Sequence, residues 1–177
     1  MKKIVITGPE STGKSDLTNF LSNHYQCSGI AESSRGYISN LKRPYTYNDL
    51  LHIANKQIDD LEKISNKSEG LVFFDTGLIV TKIWFLEVYG QFPDWLEYGI
   101  IKHKPQLYLL CYYDLPWVFD PLRENGSDER RAYLFNRYQE EIIKLGCEYK
   151  IITGFNQERF KLAIQFIDNY LYSNVEK

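Results

Sequence analysis

The sequence predicts an α/β fold, a three-layer doubly wound parallel sheet of about five strands with helices on both faces. Two observations predict it. Short apolar segments alternate with longer amphipathic ones along the chain, and no repeat, low-complexity tract or linker interrupts them. The chain has 177 residues, of which 44% are hydrophobic, so it is long and apolar enough to form one domain with a substantial core. We therefore expect a single domain over residues 1–177.

Five segments are predicted to be strands: residues 3–7, 28–32, 71–74, 107–113 and 149–153. Segments 71–74 and 107–113 are apolar almost throughout, which is typical of parallel strands whose two faces are both covered by helices. Segment 3–7 is followed by a turn that contains glycine.

Helices are predicted where apolar side chains recur every three or four residues. The first follows the glycine turn and carries Leu17, Leu21 and His24 on one face. A long helix begins at Asn48 or Asp49, a residue type that caps helices, and ends in the polar residues 65–69. The remaining helices are expected at 78–89, 94–102, around 135–145 and at 158–172.

Charge and cysteine content narrow the classes of function. Lys and Arg number 21 against 23 Asp and Glu, so the chain lacks the basic surplus of proteins that bind nucleic acids or anionic membranes. Its three cysteines are far apart and suggest buried reduced thiols. The longest apolar run, 107–113, falls short of the roughly 20 residues of a membrane helix. We expect a soluble, cytoplasmic protein with a small-molecule substrate; the residues do not indicate an oligomeric state.

The sequence GPESTGKS, from Gly8 to Ser15, carries the strongest chemical signal. It matches the phosphate-binding pattern G-x-x-x-x-G-K-[ST] and stands between an apolar strand and an amphipathic helix, as the pattern requires. Its two glycines allow successive amides to converge on a phosphate, and the helix adds its positive end. The implied ligand is a nucleoside triphosphate, ATP or GTP, with Mg²⁺. The residues expected to bind it are Gly8, Glu10, Ser11, Thr12, Gly13, Lys14 and Ser15, with Lys14 on the outer phosphates and Ser15 on Mg²⁺.

Two carboxylates follow predicted strands at the same edge of the sheet. Asp75 ends the third strand, where it could hold Mg²⁺ with Ser15; the alternative is a cap for the next helix. Glu32 ends the second strand, where it could accept the proton of an attacking hydroxyl, with Arg35 neutralising acceptor or phosphate charge. A surface ion pair is the alternative for Glu32 and Arg35. The residues alone do not decide whether Glu32 or Asp75 is the general base.

Residues 114–131 are rich in turn formers and charge, and we expect them to form a mobile flap. Arg123, Arg130 and Arg131 could deliver positive charge to a transferring phosphoryl group when the flap closes. A solvated charge run is the alternative. Arg159, on the last helix, is expected to be an ordinary exposed cation.

Aromatic residues make up 15% of the chain, and most must lie in the core. Trp84, Tyr89 and Trp117 are placed to line an acceptor pocket, where flat rings suit a planar, cationic substrate. Core packing is the alternative for each. The three histidines lack the spacing of metal ligands, so a zinc site is not expected.

Four segments together resemble the ribosylnicotinamide kinase domain of the NadR family, over nearly the whole chain: GPESTGKS, AESSRGYI, FFDTGLIVTKIWFLEVYG and PWVFDPLRENGSDERR. The resemblance implies a P-loop kinase fold and ATP-dependent phosphorylation of the 5′-hydroxyl of nicotinamide riboside. It gives ATP and Mg²⁺ roles to residues 8–15, an active-site role to Asp75, and flap or substrate roles to Trp117, Asp120 and Arg123. It does not extend to the adenylyltransferase and DNA-binding activities of full-length NadR.

The chain departs from the family pattern at two places. The family tends to have Asp-Thr-Asp after the third strand and Asp-Gly-Leu-Arg in the flap. This chain has Asp75-Thr76-Gly77 and Asp120-Pro121-Leu122-Arg123, so one carboxylate and one flexible glycine are missing. Two rival functions therefore stay open: a nucleotide-dependent switch or binding module, and a kinase of another nucleoside or small sugar.

Overall fold

The computed structural model describes residues 1–65 and 70–173, and its centre is a parallel sheet of five strands. The strands are β1 (Lys2–Thr7), β2 (Ser28–Ile30), β3 (Leu71–Asp75), β4 (Leu107–Cys111) and β5 (Glu148–Ile152). Their order is β2-β3-β1-β4-β5, and every neighbouring pair is parallel. The predicted α/β class and doubly wound sheet are confirmed.

Helices cover both faces of the sheet. They are α1 (Lys14–His24), α2 (Ser33–Ser39), α3 (Tyr47–Ser65), α4 (Leu78–Tyr89), α5 (Asp94–Lys102), α6 (Asp128–Lys144) and α7 (Asn156–Ser173). Because side chains alternate along a strand, Ile4 and Ile6 face a core shared with α1 and α7, whereas Val5 faces one shared with α3 to α6. Within the described residues, no helix is both long and apolar enough to cross a membrane.

Several boundaries differ from the sequence prediction. β2 stops at Ile30, so Glu32 is not in the strand but precedes α2, a helix that the sequence did not predict. β4 stops at Cys111 instead of residue 113. α6 begins at Asp128, so the flap comprises residues 114–127 and is shorter than predicted. The predicted polar end of α3 falls at residues 65–69, of which 66–69 lie outside the described residues.

The order of the strands fixes where a ligand can bind. The chain proceeds to opposite sides of β1, with β3 on one side and β4 on the other. In such sheets a crevice opens at the carboxyl ends of the strands where the order reverses. The loop after β1 therefore lies at that crevice, and the register that pairs Ile6 with Asp75 brings the end of β3 beside it.

Candidate active site

The phosphate loop, residues 8–15, has glycine at two positions where a side chain would clash or strain the backbone. Gly8 has φ 143°, and a Cβ there would stand 2.6 Å from the carbonyl oxygen of Cys111. Gly13, at the start of α1, has φ 70°, and Ser11 is also in the left-handed region with φ 55°. Lys14 Nζ donates to the carbonyl of Pro9 at 2.7 Å, so its ammonium group lies over the loop. A loop of this shape, followed by a helix N-terminus, is suited to an anion such as a phosphate.

Two buried arginines bind carbonyl groups of the phosphate loop. Arg159 is only 2% exposed and donates to Thr12 O at 2.9 Å, as well as to Asp114 Oδ1 at 2.8 Å. The expectation that Arg159 is an exposed cation is therefore wrong. Arg131, 1% exposed, lies in α6 instead of the flap and donates to Leu115 O at 2.7 Å and Ser11 O at 3.4 Å. A loop that turns its amides towards a ligand leaves carbonyls that need donors, and these guanidinium groups supply them.

A hydroxyl and a carboxylate meet beside the phosphate loop. Ser15 Oγ donates to Asp75 Oδ2 at 2.5 Å, and Asp75 is 5% exposed. Burial raises the pKa of the Asp75 carboxyl, and the Ser15 hydrogen bond and the Lys14 charge partly offset this effect. The next residue, Thr76, has φ 68°, a strained conformation for a β-branched residue.

The Ser15 and Asp75 oxygens fit Mg²⁺ better than a metal held wholly by protein. The described residues contain no group of three or more His, Cys, Asp or Glu side chains that could hold a metal. Mg²⁺ usually takes one or two protein oxygens and completes its shell with phosphate oxygens and water. Ser15 and Asp75 would hold such an ion, which would neutralise charge on a bound triphosphate. A phosphate loop with a serine at the start of the following helix and an aspartate on the neighbouring strand implies a nucleotide and usually Mg²⁺.

A cleft of about 760 Å³ opens from the phosphate loop, within the range of small-molecule sites. Glu32, Arg35 and Trp84, which the sequence analysis assigned to the acceptor side, line it together with the phosphate loop, Arg123 and Arg130. Glu32 stands directly before α2, and its Oε1 accepts from the Ser34 hydroxyl at 2.5 Å. A triphosphate end and an acceptor can therefore share one cavity.

The flap is docked on the phosphate loop. The Glu10 carboxylate accepts from the backbone amides of Glu124 at 3.2 Å and Asn125 at 2.9 Å. Ser11 Oγ accepts from the Val118 amide at 3.0 Å and from Arg123 Nη1 at 2.7 Å. Glu10 was predicted as a phosphate-binding residue, but its side chain is directed to the flap.

A second contact joins the flap to α2. Arg35 donates through both terminal nitrogens to Asp120 Oδ2, at 2.6 and 2.7 Å. The Leu122 amide, assisted by the charges of Arg35 and Arg123, lowers the pKa of the Asp120 carboxyl. Asp120 was expected to have a flap or substrate role, and its carboxylate is bound by Arg35.

Three predicted residues have other surroundings than expected. Tyr89 does not line the cleft, and its ring packs edge-on against Tyr47 with centroids 5.1 Å apart. Trp117 lines a separate cavity and lies against Gly126, where an added Cβ would be 3.1 Å from the indole ring. Arg130 lines the cleft, but its guanidinium pairs with Glu87 at 2.9 Å.

The sequence reasoning missed one wall of the cleft. Arg43 and Tyr45, in the loop between α2 and α3, both line the cavity. Tyr45 packs edge-on against Trp84, with ring centroids 5.0 Å apart, and accepts a hydrogen bond from the indole Nε1 at 3.1 Å. The signal available was Thr46 followed three residues later by Asp49, the spacing of a capping box, which would have fixed where the loop ends and α3 begins.

Comparison with known proteins supports the resemblance to the NadR family. Residues 3–159 match the family model AAA_28, described as an AAA domain. The chain is 28% identical over 175 residues to the trifunctional NAD biosynthesis/regulator protein NadR of Salmonella typhimurium, covering 94% of this chain and 42% of the relative. It is 27% identical over 156 residues to NadR of Escherichia coli, covering 84% and 37%. The chain thus spans about two fifths of the length of these curated relatives.

Two of the solved structures that share the fold of this chain are compared with it. A crystal structure of NadR protein in complex with NR aligns with a TM-score of 0.76 at 21% identity, over 96% of this chain and 51% of that one. Thymidylate kinase from Ehrlichia chaffeensis aligns with a TM-score of 0.65 at 14% identity, over 94% and 98%. At these identities the likeness shows the fold. Together with the family match, it identifies the chain as a member of the AAA_28 family of AAA domains, with a P-loop kinase fold.

Proposed function

We propose that this chain is an ATP-dependent kinase and that its acceptor is the 5′-hydroxyl of nicotinamide riboside, giving nicotinamide mononucleotide. One observation carries the proposal: the phosphate loop, with Ser15 hydrogen-bonded to Asp75, and an aromatic wall at Trp84 border a single cleft. An acceptor for the transferred phosphoryl group would bind against the aromatic wall. The proposal has two levels: the kinase activity, and nicotinamide riboside as the acceptor.

The donor half of the site would bind ATP with Mg²⁺. The amides of the phosphate loop and the Lys14 ammonium contact the outer phosphates, while Ser15 and Asp75 hold the ion. Arg123 lies at the mouth of the loop, since its Nη1 is 2.7 Å from Ser11 Oγ. Its charge is therefore near the oxygens on which negative charge develops during transfer.

The acceptor half would orient the riboside and accept its proton. The 5′-oxygen forms a bond to the γ-phosphorus as the bond from that phosphorus to the β–γ bridging oxygen breaks, and ADP leaves. We assign the proton to Glu32, because Glu32 lines the cleft whereas Asp75 is bound to Ser15 at the metal position. This assignment chooses between the two carboxylates that the sequence left open.

The choice of nicotinamide riboside has two supports. The relatives are named for NAD biosynthesis, and a NadR structure of the same fold contains NR. The Tyr45 and Trp84 rings, with the Glu124 carboxylate 3.1 Å from the Tyr45 hydroxyl, offer aromatic surface and negative charge to a planar cation. The positively charged pyridinium ring of the riboside matches both features.

An ADP-production screen tests the proposal. The purified chain is incubated with Mg²⁺ and ATP or GTP, with nicotinamide riboside, other nucleosides and small sugars supplied separately, and products are identified by mass spectrometry. We expect ADP release that depends on nicotinamide riboside and equals the mononucleotide formed. Lys14→Ala should reduce turnover by on the order of 10²-fold, the usual loss on removing one charge-stabilising donor.

Two outcomes would contradict the proposal at different levels. Turnover with another nucleoside or a sugar, and none with the riboside, would refute the substrate but keep the kinase. ATP binding without acceptor-dependent ADP release from any compound would refute the kinase and favour a nucleotide-dependent switch.

A further inference from the structure

A carboxylate outside the cleft holds together the loop that forms the acceptor wall. Asp49, in the first turn of α3, is only 3% exposed. Its oxygens accept from Arg43 Nη1 at 2.7 Å and Nη2 at 2.9 Å, and from the Tyr37 hydroxyl at 2.8 Å. They also accept from the amide and the hydroxyl of Thr46, both at 2.7 Å. A buried carboxylate with this many donors fixes the position of each of them.

The donors come from two parts of the chain, and the acceptor Asp49 belongs to a third. Tyr37 belongs to α2, Arg43 and Thr46 to the loop between α2 and α3, and Asp49 to α3 itself. The hydrogen bonds therefore join both helices to the loop that connects them. Residues 40–46 have no strand or helix of their own, so Asp49 provides the loop with a fixed end.

The loop that Asp49 fixes contributes to the lining of the cleft. Arg43 and Tyr45 line the cavity, whereas Asp49, Tyr37 and Thr46 do not. The Tyr45 hydroxyl accepts from Trp84 at 3.1 Å and donates to Glu124 of the flap at 3.1 Å. The wall is thus held from behind by Asp49 and from the side by Trp84 and the flap.

We propose that Asp49 is a positioning residue for the acceptor: by binding Arg43 and Thr46, it sets the place of the Tyr45 ring and the Arg43 guanidinium against the bound substrate. This inference rests on the proposed kinase function. Asp49 does not line the cleft itself and acts on it through Arg43 and Tyr45, so its loss should weaken acceptor binding far more than ATP binding. The phosphate loop lies between β1 and α1, whereas the hydrogen bonds of Asp49 join α2 and the loop after it to α3.

The test compares Asp49→Asn with Asp59→Asn. Asp59 is an exposed residue of the same helix, so the control makes the same change of charge without disturbing the loop. Asparagine cannot accept from all the Asp49 donors, so we expect hydrogen exchange of residues 40–46 to accelerate and the KM for nicotinamide riboside to rise roughly tenfold or more. The KM for ATP should stay within about twofold. Asp59→Asn should match the wild type in all three.

Variants that remove a single hydrogen bond to Asp49 keep the test decisive if Asp49→Asn does not fold. Tyr37→Phe removes one hydrogen bond and retains the ring that packs against His52, 4.8 Å away between centroids. Thr46→Val removes the hydroxyl and retains the backbone amide. Each should raise the riboside KM in the same direction as Asp49→Asn but by less, with the ATP KM unchanged.

The results separate this inference from the proposed function. Equal rises in both KM values would show general loosening and overturn the positioning role, as would unchanged exchange of residues 40–46 or an unchanged riboside KM. Wild-type protein with no acceptor-dependent ADP release would refute the proposed kinase, and the acceptor role of Asp49 with it. The exchange measurement needs no turnover, so it still reports whether Asp49 holds the loop.

Discussion

Removing the Glu10 carboxylate should release the flap from the phosphate loop. In the structure this group accepts two backbone amides of the flap, from Glu124 at 3.2 Å and Asn125 at 2.9 Å. Hydrogen bonds to a charged group contribute about 1.5–3 kcal/mol each. Glu10 is half-exposed, so solvent screens it, and we reduce the sum for Glu10→Ala to about 1–2 kcal/mol. That loss shifts the ratio of closed to open flap by roughly 5–30-fold.

The assay is hydrogen exchange of the flap amides, with turnover measured in parallel. We expect exchange at residues 118–125 to accelerate by a factor in that range, and turnover to fall if closure is needed for phosphoryl transfer. Glu10→Gln, which keeps one acceptor oxygen but no charge, should show a smaller effect. Glu140→Ala, at an exposed position of α6, serves as the control. Flap amides that exchange at the wild-type rate in Glu10→Ala would refute the docking role of Glu10.

Three further predictions concern the phosphate loop, the acceptor wall and pH. Gly8→Ala places a Cβ 2.6 Å from a backbone oxygen at φ 143°, so the midpoint of thermal unfolding should fall, by an amount equivalent to about 1–3 kcal/mol; an unchanged midpoint contradicts this. Glu124→Gln should raise the KM for nicotinamide riboside by roughly two- to fivefold, because an exposed charge pair contributes little. The KM for the uncharged, reduced form of the riboside should not change. Equal effects on the KM values of the two substrates would argue against recognition of the charge. The hydrogen bonds from Arg43 and then Thr46 lower the pKa of Asp49 well below its ordinary 3.8. The Asp49 carboxylate therefore makes its full contribution to the free energy of unfolding above pH 3.8, and this contribution is lost as the pH falls further. The difference in unfolding free energy between wild type and Asp49→Asn, from urea titrations, should accordingly be constant near neutral pH and shrink below about pH 3.8; a difference that grows on acidification would be the wrong sign.

Most of the fold could be predicted because its elements have local signals. The strands β3 and β4 are continuous apolar runs, and α4 and α5 were predicted with the bounds that the structure has. α2 could not be predicted in this way. Its sequence, SSRGYIS, has no apolar period and contains a glycine, so contacts with the rest of the fold, such as the Tyr37 hydrogen bond to Asp49, determine that it is helical.

The two halves of the candidate site differ in the same respect. The phosphate loop is a contiguous motif whose spacing follows from its geometry, so its residues could be identified from the sequence alone. The acceptor wall depends on contacts between distant segments, and Tyr45 was missed because the loop that carries it lies between an unpredicted helix and α3. Arg159 was wrongly expected to be exposed, because helical periodicity does not reveal that its guanidinium donates to the Thr12 carbonyl of the phosphate loop.

A crystal structure of the chain with Mg²⁺, a non-hydrolysable ATP analogue and nicotinamide riboside would test the central claim most directly. The quantity to measure is the distance from the γ-phosphorus to the 5′-oxygen. We expect the outer phosphates within the loop of residues 8–15, the nicotinamide ring beside Tyr45 and Trp84, and a distance of roughly 3–3.5 Å, as in a near-attack geometry. A nucleotide bound away from the loop, or a riboside bound outside the cleft, would contradict the account.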